Sequence, residues 1–270
     1  MTRMSETPFD PGSSAAANAE PDRPLVDRLR TMIVTGAIVP GTYLSQVKLA
    51  AALGVSTTPL REALRQLEAE GLVESRRNRR PRVPPFNVRD LEGVYSARIL
   101  LECLGIALAV PRMTNDMLEQ VHSHADNMTL AARSREIERW HHEHSLFHGG
   151  LVQASNPALR QEIATLEMRS ERYRRTSVLG DQPLAWSIGE IEHESIYEAC
   201  LSRRPMQAAA RLAQHLSRSA LTVAAHLAPA IDPAGIRIAL QMVLGWEASG
   251  QEPAQLMSFV TGIEEDLPSS

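Results

Sequence analysis

Residues 46–71, QVKLAAALGVSTTPLREALRQLEAEG, constrain this chain more than any other stretch. Ala50, Leu53, Val55, Leu60, Ala63, Leu64 and Leu67 recur at helical spacing and predict two short helices that each bury one face. Gly54 is the single glycine between them, placed where the chain must turn sharply and a side chain at positive φ would be strained. Ser56 suits the N-cap of the second helix, and Pro59 its first turn, where a missing N–H costs nothing. Arg61 then points outward near the start of that helix, the end that meets base edges in helix-turn-helix proteins. The pattern implies a device for reading DNA.

The flanks extend it. Leu25, Leu29, Met32 and Ile33 form a helical stripe ended by Gly36, and Ile38-Val39-Pro40-Gly41 turns the chain toward the helix pair. After Gly71, Leu72-Val73-Glu74-Ser75 reads as a short strand, Arg76, Arg77, Asn78, Arg79 and Arg80 as a basic turn, and Arg82-Val83-Pro84 as a returning strand. This order predicts a winged helix-turn-helix over 23–85, with Pro81, Pro84 and Pro85 breaking any continuation. Charge divides at the same place. Residues 23–86 hold eleven Lys and Arg against five Asp and Glu, whereas the rest hold seventeen against twenty-seven. A basic module on an acidic body fits nucleic-acid binding by the first part and another role for the second.

From Asn87 the pattern is helical, with helices expected at about 87–110, 114–133, 136–154, 157–178, 184–202 and 205–227. Asn87, Thr114 and Asn156 are expected N-caps, the last with Pro157 at the first helical position. Residues 86–228 therefore read as an antiparallel bundle of about six helices. IRIALQMVLGWEA and PAQLMSFVTGIEEDL within 229–270 could each form an amphipathic helix. Residues 1–22, rich in Pro, Ser, Ala and acid, read as a disordered tail rather than a signal peptide. LLECLGIALAV is too short to cross a bilayer, so no membrane partner is expected. Cys103 and Cys200 lie inside apolar helical patterns and read as buried thiols in a reducing cytoplasm.

Several constellations carry chemistry. Arg61 suits a bidentate contact to guanine O6 and N7. Arg65, one turn on, is balanced between DNA contact and a solvated face with Glu62 and Glu68. Ser56, Thr57 and Thr58 suit phosphate or base contacts at the helix start. Arg77, Arg79 and Arg80, in a wing with Arg76 and Arg82, suit the DNA backbone or a narrow minor groove. His144 and His148 are spaced i, i+4 and share a helix face, and His193 and His215 lie on separate helices that a bundle could bring to the same point. Four imidazoles suit Zn, Ni, Cu or Co better than Ca or Mg. Arg98, on an otherwise apolar helix, needs an anionic partner: Glu102 one turn on, or a ligand carboxylate. Arg172 and Tyr173 could line the same cavity or belong to a surface face.

The chain resembles, over about residues 25–227, the GntR family of bacterial transcription factors, in particular the FadR-like branch with an all-helical FCD effector domain. The resemblance rests on Gly36, Pro40-Gly41 and LSQVKLAAALGVSTTPLREALRQLEAEGLV, then on Arg98 with Glu102, Phe147-His148 with Asn156-Pro157, Glu192-His193 and His215-Leu216. It implies a homodimer on a two-fold symmetric operator, controlled by a small carboxylate-containing metabolite. It also implies a divalent metal held by one Asp and three His. The His positions fall on His148, His193 and His215, and the Asp position on His144. The family's usual Arg after the turn Ser is Thr57 here, and its wing-tip Gly is Arg80.

Three functions follow as expectations. The first is a metabolite-responsive regulator, not an enzyme, with a divalent transition metal (Zn or Ni foremost) and a small organic acid as effector. The second is a metal-dependent hydrolase centred on the His cluster, with Glu143, Glu192 or Glu194 as base. The third is an interaction module in which the bundle only dimerises. The chain lacks HExxH, a nucleophile elbow and a phosphate loop.

Overall fold

A computed structural model describes residues 23–75, 80–176, 183–228 and 232–248, with backbone alone at 176 and 183–187. It is helical: α1 (Leu25–Val34), α2 (Gln46–Leu53), α3 (Thr57–Ala69), α4 (Val88–Ala109), a 3-10 turn (Val110–Arg112), α5 (Asn115–Ser134), α6 (Ile137–Leu151), α7 (Pro157–Thr176), α8 (Pro183–Leu201), α9 (Pro205–Leu227) and α10 (Ala234–Ala248). The helices expected between residues 87 and 227 all form, within a few residues of their expected ends. Residues 1–22, the wing residues 76–79 and the expected helix PAQLMSFVTGIEEDL lie outside the described residues.

The chain separates into two compact units, Met1–Leu91 with Met168–Leu179, and Glu92–Glu167 with Gly180–Ser270. The break at Leu91 falls six residues after the boundary expected at 85. The first turn of α4 and the last two turns of α7 pack with the first unit: Tyr173 Oη donates to Asp90 at 2.7 Å, Arg169 pairs with Asp90 at 2.8 Å, and the Phe86 and Tyr173 rings lie 5.2 Å apart. Prolines mark where a helix starts; they carry no information on which unit its first turn joins.

In the first unit, Leu29, Met32 and Ile33 of α1, Leu49, Ala50 and Leu53 of α2 and Leu60, Ala63, Leu64 and Leu67 of α3 share one core with Leu44, Leu72 and Val83. Each fully buried Leu or Ile contributes about 1.5–3 kcal/mol, so this face fixes the geometry of the helix pair. Arg30 on α1 clamps the end of α3 through two bonds to the Glu70 carboxylate, 2.9 and 2.6 Å. Ser45 caps α2, accepting from Lys48 N at 3.5 Å. Gly54 ends α2 at φ 68°, and Val55 N donates back to Ala50 O at 3.0 Å. The expected two-stranded wing is reduced, among the described residues, to isolated bridges. Residues 81–83 lie between Glu74 on one side and residues 41–44 on the other, with Leu44 N to Pro81 O at 2.7 Å and Val83 N to Thr42 O at 3.0 Å. The segment after Gly41, for which no strand was expected, is thus a third member of this ladder.

In the second unit the expected N-caps form. Thr114 Oγ1 accepts from Met117 N at 3.2 Å, and Asn156 Oδ1 from Ala158 N at 2.9 Å. Asn87, counted with the first unit, caps α4 by accepting from Arg89 N at 3.0 Å. α6 presses on α5 at Gly150, where a Cβ would lie 2.8 Å from Val121 Cγ2. Phe147, Leu151, Ile196, Leu212 and Leu216 are buried around the resulting interior. α10 extends the bundle against α9, burying Ile236, Ala239 and Val243. α4 with its 3-10 turn is, contrary to the reading of LLECLGIALAV, long and apolar enough to span a membrane by length and composition. It is mostly buried and carries a buried ion pair, Arg98–Glu102, which marks a core helix. Cys103 and Cys200 are buried free thiols.

Gly54 tests the turn. A Cβ there meets no atom within 4 Å, so Gly54→Ala should cost only the left-handed backbone penalty, about 1 kcal/mol. Chemical denaturation would measure it; a neutral or stabilising substitution contradicts the assignment.

Candidate functional site

The DNA-facing candidate is the outer side of α3. Its inner face is wholly committed to the core, which leaves Ser56, Thr57, Thr58, Arg61, Glu62 and Arg65 exposed. Ser56 holds the N-cap position in extended geometry (φ −77°, ψ 164°), but its side chain makes no capping bond. The expected capping role is therefore filled by backbone position alone, and the hydroxyl faces outward. Arg65 pairs with Glu62 at 2.8 Å, both about two-thirds exposed. Such a pair is worth ~1 kcal/mol at most and yields readily to phosphate. Arg61 has no ion-pair partner among the described residues. In the wing Arg80 is exposed, whereas Arg82 is drawn inward, bonded to Glu74 with its guanidinium 5.7 Å from the Tyr43 ring centre. Arg77 and Arg79 lie outside the described residues.

The second site lies in the bundle interior. His144 and His148 of α6, His193 of α8 and His215 of α9 are all buried, and the ring nitrogens they offer lie within 4.8 Å of one another. The ring centres of His144 and His148 are 4.4 Å apart, and those of His193 and His215 are 4.6 Å apart. Two carboxylates stand behind the rings. Glu102 approaches His148 Nδ1 at 3.4 Å and is bonded by Arg98 Nε at 2.5 Å; Arg98 is only 3% exposed. Glu192 holds His215 Nδ1 at 2.8 Å and is gripped by Arg218 at 2.5 Å through two nitrogens. The Glu192 bond favours the Nδ1–H tautomer of His215 and leaves its Nε2 as a lone pair for the interior, whereas Glu102 only approaches His148. His148 Nε2 is buried without a hydrogen-bond partner among the described residues.

Burial disfavours the charged form of two of the rings. Burial lowers His148 to about 4, against the pull of Glu102, and lowers His215 as well. Burial alone would raise Glu102 and Glu192, but Arg98 and His148 hold the first near 2, and His215 and Arg218 hold the second near 2. Four converging imidazoles, with ionised carboxylates behind two of them, fit a divalent transition metal.

The four histidines named from the sequence are brought together here, and Arg98 pairs with Glu102. Sequence reading missed Arg218 entirely and placed Glu192 only as a possible base, because helix spacing cannot reveal a partner 23 or 26 positions away. Arg172 and Tyr173 are not among the residues brought together here. Both belong to the first unit, where Arg172 approaches Asp90 at 3.6 Å and Tyr173 donates to Asp90. Helical spacing puts them on α7 but does not tell which unit that end of the helix joins. A base role for Glu143 is weakened by its bond to His124 at 2.8 Å.

A helix-turn-helix with an exposed recognition face and a helical bundle with a buried histidine cluster define a two-part DNA-binding regulator. Residues 22–83 match the bacterial regulatory proteins of the gntR family, and residues 93–218 match the FCD domain. The chain belongs to the GntR family. It is 28% identical over 199 residues to the HTH-type transcriptional regulator BphR of Paraburkholderia xenovorans, covering 71% of this chain and 80% of that one. With the HTH-type transcriptional repressor GlaR of Escherichia coli it shares 27% identity over 197 residues, 70% of this chain and 89% of the relative. The solved structure of E. coli McbR/YncC superposes with a TM-score of 0.66 at 22% identity, over 78% of this chain and 97% of that one, a likeness of fold.

Stability should report the buried rings. Between pH 6.5 and 4 the unfolded chain gains a proton at His148 that the folded chain refuses, so stability falls as pH drops through that window. Below 4.5 the loss steepens, because Glu102 and Glu192 stay ionised in the fold down to about 2 while the unfolded chain protonates. The melting temperature of chelator-treated protein should decline from pH 6.5 downward; a flat profile to pH 5 contradicts the neutral buried rings.

Proposed function

We propose that this protein is a metabolite-responsive transcriptional regulator of the FadR-like branch, acting in the cytoplasm as a homodimer on a palindromic operator. The observation that carries the reading is the exposed row Ser56, Thr57, Thr58 and Arg61 on a helix whose opposite face is fully buried, in a chain of the GntR family. Arg61 reads a base edge, Arg65 and the hydroxyls hold phosphates, and Arg77, Arg79 and Arg80 follow the backbone or minor groove. Thr57 and Arg80, in place of the family's usual Arg and Gly, set an operator preference of this chain's own. The name of the E. coli relative supports repression as the sense of control.

His144, His148, His193 and His215 would hold a divalent transition metal, Zn or Ni foremost, which supplies a fixed positive charge for a small carboxylate-containing effector. Arg98 and Glu102 act as a pair that orients His148. The effector would alter the spacing of the two reading helices in the dimer, and a small rotation spoils a fit fixed by the duplex turn. The hydrolase reading is weaker, because Glu192, gripped by Arg218 and His215, is ionised near 2 and makes a poor base.

The test is binding of the full chain to its own promoter fragment. Arg61→Ala should weaken specific binding by about 5- to 150-fold, the worth of one bidentate base contact, and leave nonspecific binding nearly unchanged. Equal loss on specific and random DNA would reduce Arg61 to a phosphate contact, and absence of any shift by the wild-type chain would end the regulator reading.

A further inference from the structure

A cleft of about 780 Å³ between α5, α6 and α8, a size suited to a small molecule, borders the histidine cluster at His193. Its inner wall includes His193, a member of the cluster, and Trp140, whose ring centre lies 4.9 Å from that of His144. Behind that wall His148 Nε2 is buried without a hydrogen-bond partner among the described residues, within the same 4.8 Å set. The outer wall has a different chemistry. Glu190, Glu194 and Glu198 line it from α8 at four-residue spacing, one above another on a helix face, and Asp126 joins from α5. Arg133 is the one Lys or Arg in the lining. Asp126 pairs with His122 at 3.5 Å and Glu190 accepts from the Thr129 hydroxyl at 3.0 Å, while Glu194 and Glu198 have no ion-pair partner among the described residues.

A lone carboxylate entering this cleft would pass a wall of its own sign. Yet the reading above asks for a carboxylate at the cluster. Both conditions are met by a ligand whose carboxylate turns inward and whose other end is cationic. We propose that the cleft receives an organic ammonium group, so that the effector is an amino-carboxylate. This rests on the metal-associated carboxylate of the preceding reading and extends it to the chemical class of the whole ligand. The ammonium is held by Glu194 and Glu198, with Glu190 and Asp126 adding to the field and the Trp140 indole offering a cation–π face.

The experiment is isothermal titration of zinc-loaded, full-length protein with three matched probes: 6-aminohexanoate, hexanoate and hexylamine. Metal content is measured on the same sample. Exposed ion pairs are each worth only a few-fold, so two or three carboxylates acting together should make 6-aminohexanoate bind about tenfold more tightly than hexanoate. In the double variant Glu194→Gln with Glu198→Gln that gap should close, with hexanoate binding no worse than before. Both residues are exposed and the change is isosteric, so the fold is kept. Hexanoate binding as tightly as 6-aminohexanoate, or a gap that survives in the variant, overturns the proposal and leaves the carboxylate reading standing. Hexylamine binding as tightly as 6-aminohexanoate upholds the ammonium site and overturns the carboxylate reading. No binding by any probe to zinc-loaded protein overturns the proposal; a chain that takes up no zinc overturns the metal reading beneath it.

Discussion

Burying four imidazoles in a helical bundle is tolerable only if every ring nitrogen has a destination, and the second unit is organised around that requirement. A polar nitrogen left unmatched in an apolar interior costs about 1–3 kcal/mol. Two nitrogens face carboxylates, and those carboxylates are ionised because guanidinium groups stand behind them, Arg98 for Glu102 and Arg218 for Glu192. The chain of dependence runs outward from ring to carboxylate to arginine. It explains why α4, apolar enough to pass for a membrane span, keeps a charged pair in its middle. Removing Arg98 would strand Glu102 as an uncompensated buried charge, so its first role is structural and electrostatic. The ring nitrogens that the four histidines offer lie within 4.8 Å of one another, a spacing a single cation could share.

The first unit follows a plainer rule. One face of each helix is spent on a single core, and the arginines divide by what they can reach. Arg30 and Arg82 have carboxylate partners within the unit and stabilise it. Arg61 and Arg80 remain exposed and supply the positive field on the outer surface. Each internal pair removes one carboxylate with one arginine, so the basic excess of 23–86 is unchanged and is carried by the arginines left outside.

Most of the helical architecture was legible because its signals are local. Asn87, Thr114 and Asn156 cap the helices they were expected to cap, Gly54 takes the left-handed turn, and the i, i+4 pair His144–His148 shares a face as spacing requires. The four histidines of the candidate site could be named from sequence only through a family resemblance, since nothing in spacing joins His193 and His215 to α6. What escaped was non-local. Spacing left Tyr173 and Arg172 open between the effector cavity and a surface face; Asp90, 83 positions before Tyr173, draws them into the first unit. Residues 41–44 joined the wing ladder through backbone bonds, which leave no trace in side-chain pattern. The acidic stripe Glu190, Glu194 and Glu198 of α8 was not singled out in the sequence, and its place beside His193 emerges only when α5 and α8 pack together.

The central claim is that occupancy of the histidine cluster governs DNA binding. The most direct measurement is fluorescence anisotropy of the full chain on its promoter fragment at fixed salt, first after chelation and then with one equivalent of zinc or nickel. Coupling between two sites of one protein is typically about 5- to 150-fold, and the account predicts a change in Kd within that range. An identical Kd in the two states, with metal content verified in each, would contradict it.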